Sequence, residues 1–290
     1  MKSEVECITC FYNAFMKQLA VLGFDETFRE AEAKAYLKIM AENNFQKTPA
    51  EFGRYYWNRI LEVSGLDDPL RREKDADNQR LLSNETAIYQ RILASDDPVR
   101  TAMKLSIAGN VMDLMVDHGM KVVSTLENAI QTELAIDDLN KFVEALQNAS
   151  NVLYLTDNAG EIVMDKLFIR LLLKNGLLDY NRFWVAVRGR PVINDATRKD
   201  AQDVGLTDMV QVIDNGDNAW GTSLAFCSQD FLRHFERADL VIAKGMGNYE
   251  TIGELQDKTI CFLLIVKCNP VQRAIGVPRG SFVCQLKSAR

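Results

Sequence analysis

Histidine is almost absent from this sequence of 290 residues: it contains His118 and His234, and neither lies in a motif. His118 precedes Gly119 at a predicted helix end, where a cation complements the helix dipole. We expect structural roles for both. Their scarcity argues against Ser-His-Asp hydrolysis and against a metal site built from several histidines.

The sequence also shows no long apolar run, no signal-peptide pattern and no excess of basic residues. The longest apolar run, 260–266, is well short of the about 20 residues that cross a bilayer. The acidic start of the chain has no signal-peptide core. A net charge of -6 offers no basic surface to nucleic acid. We therefore expect a cytoplasmic protein without a membrane or nucleic-acid partner, and the pattern carries no signal for an oligomeric state.

Cysteine is too sparse for a disulfide framework, with six residues in the chain. Cys7 and Cys10 lie three positions apart on the predicted first helix, and Cys268 follows a predicted strand. The simplest interpretation is that they are small core residues. A structural metal or a redox role for these three thiols is the alternative, although a tetrahedral zinc site needs four ligands.

The first half of the chain has helical periodicity. Apolar residues recur at three- and four-residue steps from residue 5 to 22, and Gly23 is placed to end that helix. Thr48, Pro49 and Glu51 form a capping-box sequence that predicts the start of another helix. No strand pattern occurs before residue 150. We predict an all-helical region over residues 1–148.

The second half has a different pattern. Helical segments at 164–175, 196–204 and 223–237 separate most of six apolar, β-rich runs, at 152–156, 183–187, 209–213, 240–243, 260–266 and 282–286. Such alternation is typical of βαβ units in a parallel sheet. The predicted fold class is α/β, with a three-layer Rossmann-like sheet domain over 149–290 that carries the functional site.

Polar side chains follow the predicted strands. The first strand is followed by Asp157 and Asn158, and the second by Arg188, Arg190, Asn194 and Asp195. The third ends at Asp214, Asn215 and Gly216, the fourth at Lys-Gly-Met-Gly-Asn (244–248) and the fifth at Lys267. Ligands of open α/β folds bind beyond the carboxyl ends of the strands. The oxygen atoms suit Mg²⁺ or Mn²⁺, and the lysines suit an anion.

Each group also has a structural interpretation. Asp157-Asn158 and Asp195 could cap the helices that follow them. Lys244, Arg188 and Arg190 could be solvated charges, and the sequence at 214–216 has turn chemistry, which we favour for Asn215-Gly216. The conjunction of the groups favours a functional site.

The ordered motifs resemble those of the damage-control metal-dependent phosphatases, formerly the domain-of-unknown-function-89 family, in its compact stand-alone prokaryotic-type branch. The motifs are Leu-Thr-Asp-Asn-Ala-Gly-Glu (155–161), Arg-Gly-Arg-Pro-Val-Ile-Asn-Asp (188–195), Asp-Asn-Gly (214–216), Lys-Gly-Met-Gly-Asn-Tyr-Glu (244–250) and Val-Lys-Cys (266–268). The similarity extends to Ala-Gly-Asn-Val-Met-Asp (108–113) and to the Cys-Ile-Thr-Cys opening at 7–10.

The resemblance implies a phosphatase for small phosphorylated metabolites, such as a phosphosugar or a damaged phosphometabolite. Its cofactor would be Mn²⁺, Mg²⁺, Co²⁺ or Ni²⁺. The implied metal ligands are Asp157, Asn158 and Asp195, and the implied catalytic residues are Asp157, Asp195 and Lys244. The implied substrate-binding residues are Asn110, Asp113, Arg188, Gly245, Asn248 and Lys267. A plain helix-surface pair is the alternative for Asn110 and Asp113, which share one helical face.

The sequence leaves the nucleophile open, because metal-bound water and an Asp carboxylate would both serve. Two other functions remain as alternatives. One is a non-catalytic metabolite or nucleotide binder, although no G-x-G-x-x-G follows the first strand. The other is an S-adenosylmethionine-dependent carboxyl methyltransferase, for which we find no dedicated glycine-rich loop.

Overall fold

A computed structural model describes residues 1–42, 45–112 and 120–290 of the chain. Side chains are described for these residues except 110–112 and 120–125. The predictions for Asp113 and His118, and for the side chain of Asn110, therefore lie outside the described residues.

Helices form most of the first half of the chain. They are α1 (Val5–Val21), α2 (Glu26–Ala41), α3 (Pro49–Ser64), α4 (Arg71–Leu82), α5 (Glu85–Leu93), α6 (Pro98–Met112), α7 (Met120–Gln131) and α8 (Leu139–Asn148). The predicted capping box is confirmed, because Thr48 and Glu51 each bind the backbone of the other at the start of α3. Gly23 follows α1 with a left-handed φ of 82°.

Seven strands form one sheet. They are β1 (Leu134–Asp137), β2 (Val152–Leu155), β3 (Phe183–Val187), β4 (Gln211–Asp214), β5 (Leu240–Lys244), β6 (Ile260–Ile265) and β7 (Phe282–Lys287). The order across the sheet is β1-β7-β6-β5-β2-β3-β4. The five strands β4, β3, β2, β5 and β6 are parallel. β7 runs antiparallel to β6, and β1 runs parallel to β7.

The expectation of no strand before residue 150 is wrong, because β1 lies in that half. It has four residues, which alternate between half-buried and exposed positions at the edge of the sheet. So short an edge strand has too few apolar residues to give a readable period. The six predicted strands are confirmed, with ends that shift by one or two residues. The division of the chain at residue 148 stays a prediction.

Helices cover both faces of the sheet, as the three-layer prediction requires. They include α9 (Glu161–Lys174), α10 (Arg198–Asp203), α11 (Gln229–Arg237), α12 (Gly245–Ile252) and α13 (Asn269–Ile275). Alternate residues of each strand point to opposite faces. On β2, Val152 and Tyr154 join the core formed with α6 and α9, whereas Leu153 and Leu155 join the core formed with α11, α12 and α13.

A third core joins α1, α2 and α3 to loops of the sheet. Trp57 and Phe15 are fully buried in it, and Val192 and Trp220 enter it from the loops that follow β3 and β4. The helical region is thereby packed next to the loops that carry the predicted site. His234 contacts the ring of Trp184, with 5.1 Å between ring centroids, away from this region. Within the described residues, no helix combines the length and apolarity needed to cross a membrane.

Candidate active site

Asp157 and Asn158 lie where the direction of strand addition reverses. The chain goes from β2 to β3 and β4 on one side, and then returns to β5 and β6 on the other. A crevice opens at such a switch point, beyond the carboxyl ends of the two central strands. Both side chains are buried, with 6% exposure each. Their predicted position, just beyond the carboxyl end of a strand, is confirmed, since β2 ends at Leu155.

Backbone hydrogen bonds bring Asp195 to this pair. Asn158 and Asp195 form an isolated antiparallel bridge. The amide of Ala159 donates to the carbonyl of Asn194 at 2.8 Å, and the amide of Ala196 donates to the carbonyl of Asp157 at 2.8 Å. The three predicted metal ligands therefore lie on two adjoining backbone segments. Asp195 does not cap the next helix, since Thr197 is the N-cap of α10.

Arg188 lies behind the two acids. Its Nε donates to Oδ2 of Asp195 at 2.6 Å, and its guanidinium is 3.9 Å from Oδ1 of Asp157. A second guanidinium nitrogen donates to the carbonyl of Thr156 at 3.3 Å. The side chain is 2% exposed. We read Arg188 as a residue that positions the acids, and its predicted contact with substrate stays a prediction.

Glu161 belongs to the same cluster, although no role was predicted for it. Asn158 donates through Nδ2 to Asp157 at 2.9 Å and to Oε2 of Glu161 at 3.1 Å. These bonds orient the carboxamide so that its carbonyl oxygen remains for a ligand. The signal for Glu161 was its place three residues after Asn158, in the first turn of α9.

Lys244 ends β5 but does not line the crevice. Its ammonium group is fully buried and donates to Glu161, to Oδ1 of Asp165 at 2.7 Å and to the carbonyl of Ser106 at 2.9 Å. Burial opposes the charge, but the carboxylates of Asp165 and Glu161 outweigh it and raise the pKa of Lys244. All three ammonium hydrogens thus have acceptors within the protein. Lys244 itself does not line the crevice, whereas Gly245, the next residue, does. Contact of Lys244 with phosphate stays a prediction.

The remaining predicted residues divide into two groups. Gly245 and Lys267 line the crevice. Asn248 does not line it. Its side-chain Nδ2 donates to the carbonyls of Lys244 at 2.7 Å and Thr156 at 3.2 Å, and its Oδ1 accepts from the hydroxyl of Thr222 at 2.8 Å. Asn248 therefore fixes the start of α12 against β2. The turn favoured for Asn215 is confirmed, because its Oδ1 accepts from the amides of Gly189 and Asp217.

Burial perturbs the acids of the cluster. It raises the pKa of Asp157 to about 6, with repulsion from Asp195 as the next cause. It raises the pKa of Glu161 to about 7 against the opposing charge of Lys244, and it also raises the pKa of Asp195. Desolvation is the largest cause of each shift and outweighs the nearby cations, which include Arg188 and Lys244. A divalent cation beside these acids would further favour their ionised forms.

The crevice is a cavity of about 330 Å³, within the range typical of small-molecule sites. Its acidic end is lined by Asp157, Asn158, Glu161 and Asp195; its other walls include Cys10, Phe11, Tyr56, Ile193, Trp220, Met246 and Glu250. Phe11, Tyr56 and Trp220 form an aromatic wall, with ring centroids of 5.3 Å for Phe11–Trp220 and 5.8 Å for Tyr56–Trp220. Sequence analysis missed this wall, because its members come from α1, α3 and a loop.

The cysteines singled out in the sequence lie beside the cavity as free thiols. Cys10 lines the cavity, Cys7 is buried and Cys268 is half-buried. Burial raises the pKa of each of the three. Across the parts of the chain that are described, no three His, Cys, Asp or Glu side chains converge in a way that could hold a metal. A fit to metal therefore rests on the mixed Asp, Asn and Asp set.

The fold and the site define a three-layer α/β protein with buried oxygen ligands at the switch point of its sheet. A family model described as the damage-control phosphatase ARMT1-like domain matches residues 3–283. The chain belongs to that family, which confirms the resemblance found in the sequence.

Individual relatives match over nearly the full length. A damage-control phosphatase of Pyrococcus horikoshii is 33% identical over 286 residues, which cover 98% of each chain. A damage-control phosphatase of Archaeoglobus fulgidus is 33% identical over 294 residues, which cover 99% of each. The crystal structure of a DUF89 family protein from P. horikoshii matches with a TM-score of 0.91 at 32% identity, over 99% of each chain.

Proposed function

We propose that this protein is a metal-dependent phosphatase that hydrolyses phosphomonoesters of small, damaged metabolites. The observation that carries the proposal is the convergence of Asp157, Asn158 and Asp195 in a buried cavity at the switch point. Family membership supports the word phosphatase, since relatives that match over nearly their whole length are named damage-control phosphatases.

The donor set fits a divalent ion that accepts oxygen ligands: Mn²⁺, Mg²⁺, Co²⁺ or Ni²⁺. Two carboxylates and one carboxamide oxygen are the ligands that such ions take in proteins. Asp157, Asn158 and Asp195 would hold the ion, and Arg188 fixes the orientation of Asp195. When bound, the ion supplies positive charge to the phosphoryl oxygens.

The start of α12 supports binding of the phosphate group. Gly245, Met246 and Gly247, its first three residues, line the cavity. The first amides of a helix have no partner within the helix and favour anions. Lys267 lies beside them, since its amide donates to the sulfur of Met246 at 3.1 Å. Its side chain lines the same cavity and can bind a phosphoryl oxygen.

The test compares wild-type protein with Asp157→Ala on p-nitrophenyl phosphate and on sugar phosphates, with and without Mn²⁺. We expect metal-dependent hydrolysis by the wild type and loss of at least about 100-fold in the variant. Asp230→Ala is the control, because Asp230 is an exposed residue of α11 that pairs with Arg233. Equal activity in wild type and Asp157→Ala would refute the proposal. The metal content of the purified protein identifies the ion.

A further inference from the structure

The cavity contains a carboxyl group that the metal and phosphate sites do not use. Glu250 lies on α12, is 8% exposed and lines the cavity. The indole N–H of Trp220 is its hydrogen-bonding neighbour, and Asp157 lies within electrostatic range. The amino terminus of Met1 donates to the backbone carbonyl of Glu250 at 2.5 Å. The carboxyl group thus stands between the acidic end of the cavity and the aromatic wall.

Trp220 is held firmly in that wall. A Cβ on Gly53 of α3 would lie 1.5 Å from Cη2 of Trp220, so the ring rests on the helix backbone in a slot that the glycine leaves open. Phe11 and Tyr56 flank the ring. A packed aromatic surface favours an apolar or planar group of a ligand, in van der Waals contact.

The charges along the cavity are unequal. Four acids line it, namely Asp157, Glu161, Asp195 and Glu250, whereas Lys267 is the one cationic side chain among the described lining residues. Arg188 and Lys244 lie behind the wall and are bonded to Asp195 and to Glu161, respectively. A dication at the acidic end would offset two of the acids and would attract one phosphate group. Glu250 would then face whatever is esterified to that phosphate.

We infer that Glu250 and Trp220 determine which leaving group the site accepts: one with an apolar face for Trp220, an O–H or N–H donor for Glu250, and no second anionic group. This inference rests on the proposed function. A carboxylate or a second phosphate on the substrate would meet the charge of Glu250 inside a partly desolvated cavity, where like charges repel strongly. A donor group would instead give the buried carboxylate a hydrogen bond.

Three phenyl phosphates test the inference, with para substituents hydroxymethyl, aminomethyl and carboxymethyl. A methylene group separates each substituent charge or donor from the ring, so the three phenols have similar acidity as leaving groups. Assays with Mn²⁺ at pH 8.5 keep Glu250 ionised, above the pKa of about 7 to which burial raises it. We expect kcat/KM for the hydroxymethyl and aminomethyl esters to exceed that for the carboxymethyl ester at least tenfold. The ratio of the first two compares a neutral O–H donor with an ammonium donor, because the aminomethyl group is mostly protonated at this pH.

Variants separate Glu250 from general surface charge. Glu250→Gln should reduce the discrimination against the carboxymethyl ester at least about fivefold. Glu236→Gln removes the same charge from the exposed face of α11 and should leave it unchanged. The ratio of rates on two substrates cancels any change in the amount of folded protein.

A second pair of variants tests the aromatic wall independently. Trp220→Leu should raise KM for the hydroxymethyl ester about tenfold more than for glycerol phosphate, whereas Trp184→Leu, at a tryptophan remote from the cavity, should not. Wild-type hydrolysis of the carboxymethyl ester at a rate within threefold of the others, or discrimination unchanged in Glu250→Gln, would overturn the inference alone. A wild type inactive on all three esters but active on p-nitrophenyl phosphate would also overturn the inference alone, whereas inactivity on these esters, on p-nitrophenyl phosphate and on sugar phosphates would overturn the proposed function as well.

Discussion

Gly245 allows the sharpest test of the site geometry. It is the first residue of α12 and has a φ of +73°. A Cβ at this position would lie 1.9 Å from Oδ2 and 2.3 Å from Cγ of Asp157. Non-bonded carbon atoms pack at about 3.5 Å or more, so Asp157 must move by roughly 1 Å or more in Gly245→Ala.

Gly176 provides a matched control. It follows α9 with a φ of +70°, and a Cβ there would meet no atom within 4 Å. Alanine in the left-handed region costs about 1–2 kcal/mol of folding free energy at either position. The two variants should share that backbone cost, and Gly245→Ala alone should displace a predicted metal ligand. A misplacement of about 1 Å can lower a catalytic rate about 100-fold.

The measurements are urea denaturation of both variants, Mn²⁺ affinity by calorimetry, and kcat/KM on p-nitrophenyl phosphate. We expect Gly176→Ala to keep wild-type activity and affinity, and Gly245→Ala to lose about 100-fold in kcat/KM with weaker Mn²⁺ binding. If Gly245→Ala remains within threefold of Gly176→Ala in both activity and affinity, Asp157 is not held where the reaction needs it, and the reasoning fails.

Three further predictions concern the buried charges. Lys244→Met should destabilise the fold by about 3–5 kcal/mol in urea denaturation, because Glu161 and Asp165 would lose their buried cation; Lys141→Met, at an exposed pair, should have little effect. Mn²⁺ affinity should fall about tenfold per pH unit below the pKa of Asp157, about 6, since only the ionised carboxylate binds metal; constant affinity from pH 7 to 4.5 would contradict this. Burial raises the pKa of Glu161 and of Glu250 to about 7 in the folded protein, above the pKa of each group in the unfolded chain. The folded state therefore binds more protons, and the thermal stability of the metal-free protein should decrease as the pH rises from 5 to 7.5. Increasing stability over that range would contradict the assignment.

The sequence predicted the strands of the central sheet because each is a buried apolar run that ends in polar residues. Asp157 and Asn158 were found in this way. It could not predict that Asp195 would lie beside Asn158, since that contact depends on backbone bonds between two loops. Local patterns carry no information about such pairing.

Lys244 shows that the pattern of strand ends predicts where a residue lies along the chain but not which partners its side chain binds. Its position after an apolar run indicated a residue at the carboxyl end of a strand, and Lys244 is the last residue of β5. Its partners, however, come from α6 and α9, which are packed behind the strand. Only the packing of those helices determines that the ammonium group faces inward. Trp220 was missed for a similar reason, because its neighbours lie more than 150 residues earlier, on α1 and α3.

The reversed strands at one edge of the sheet have a consequence for the order of assembly. β1 is hydrogen-bonded to β7, which is synthesised after β2, β3, β4, β5 and β6. During translation, the parallel strands that carry the site can pair before β7, the hydrogen-bonding partner of β1, has been synthesised. Until β7 emerges, β6 presents an open, apolar edge that could recruit a strand from another nascent chain. An incomplete chain therefore has an unpaired edge at β6 until β7 joins the sheet.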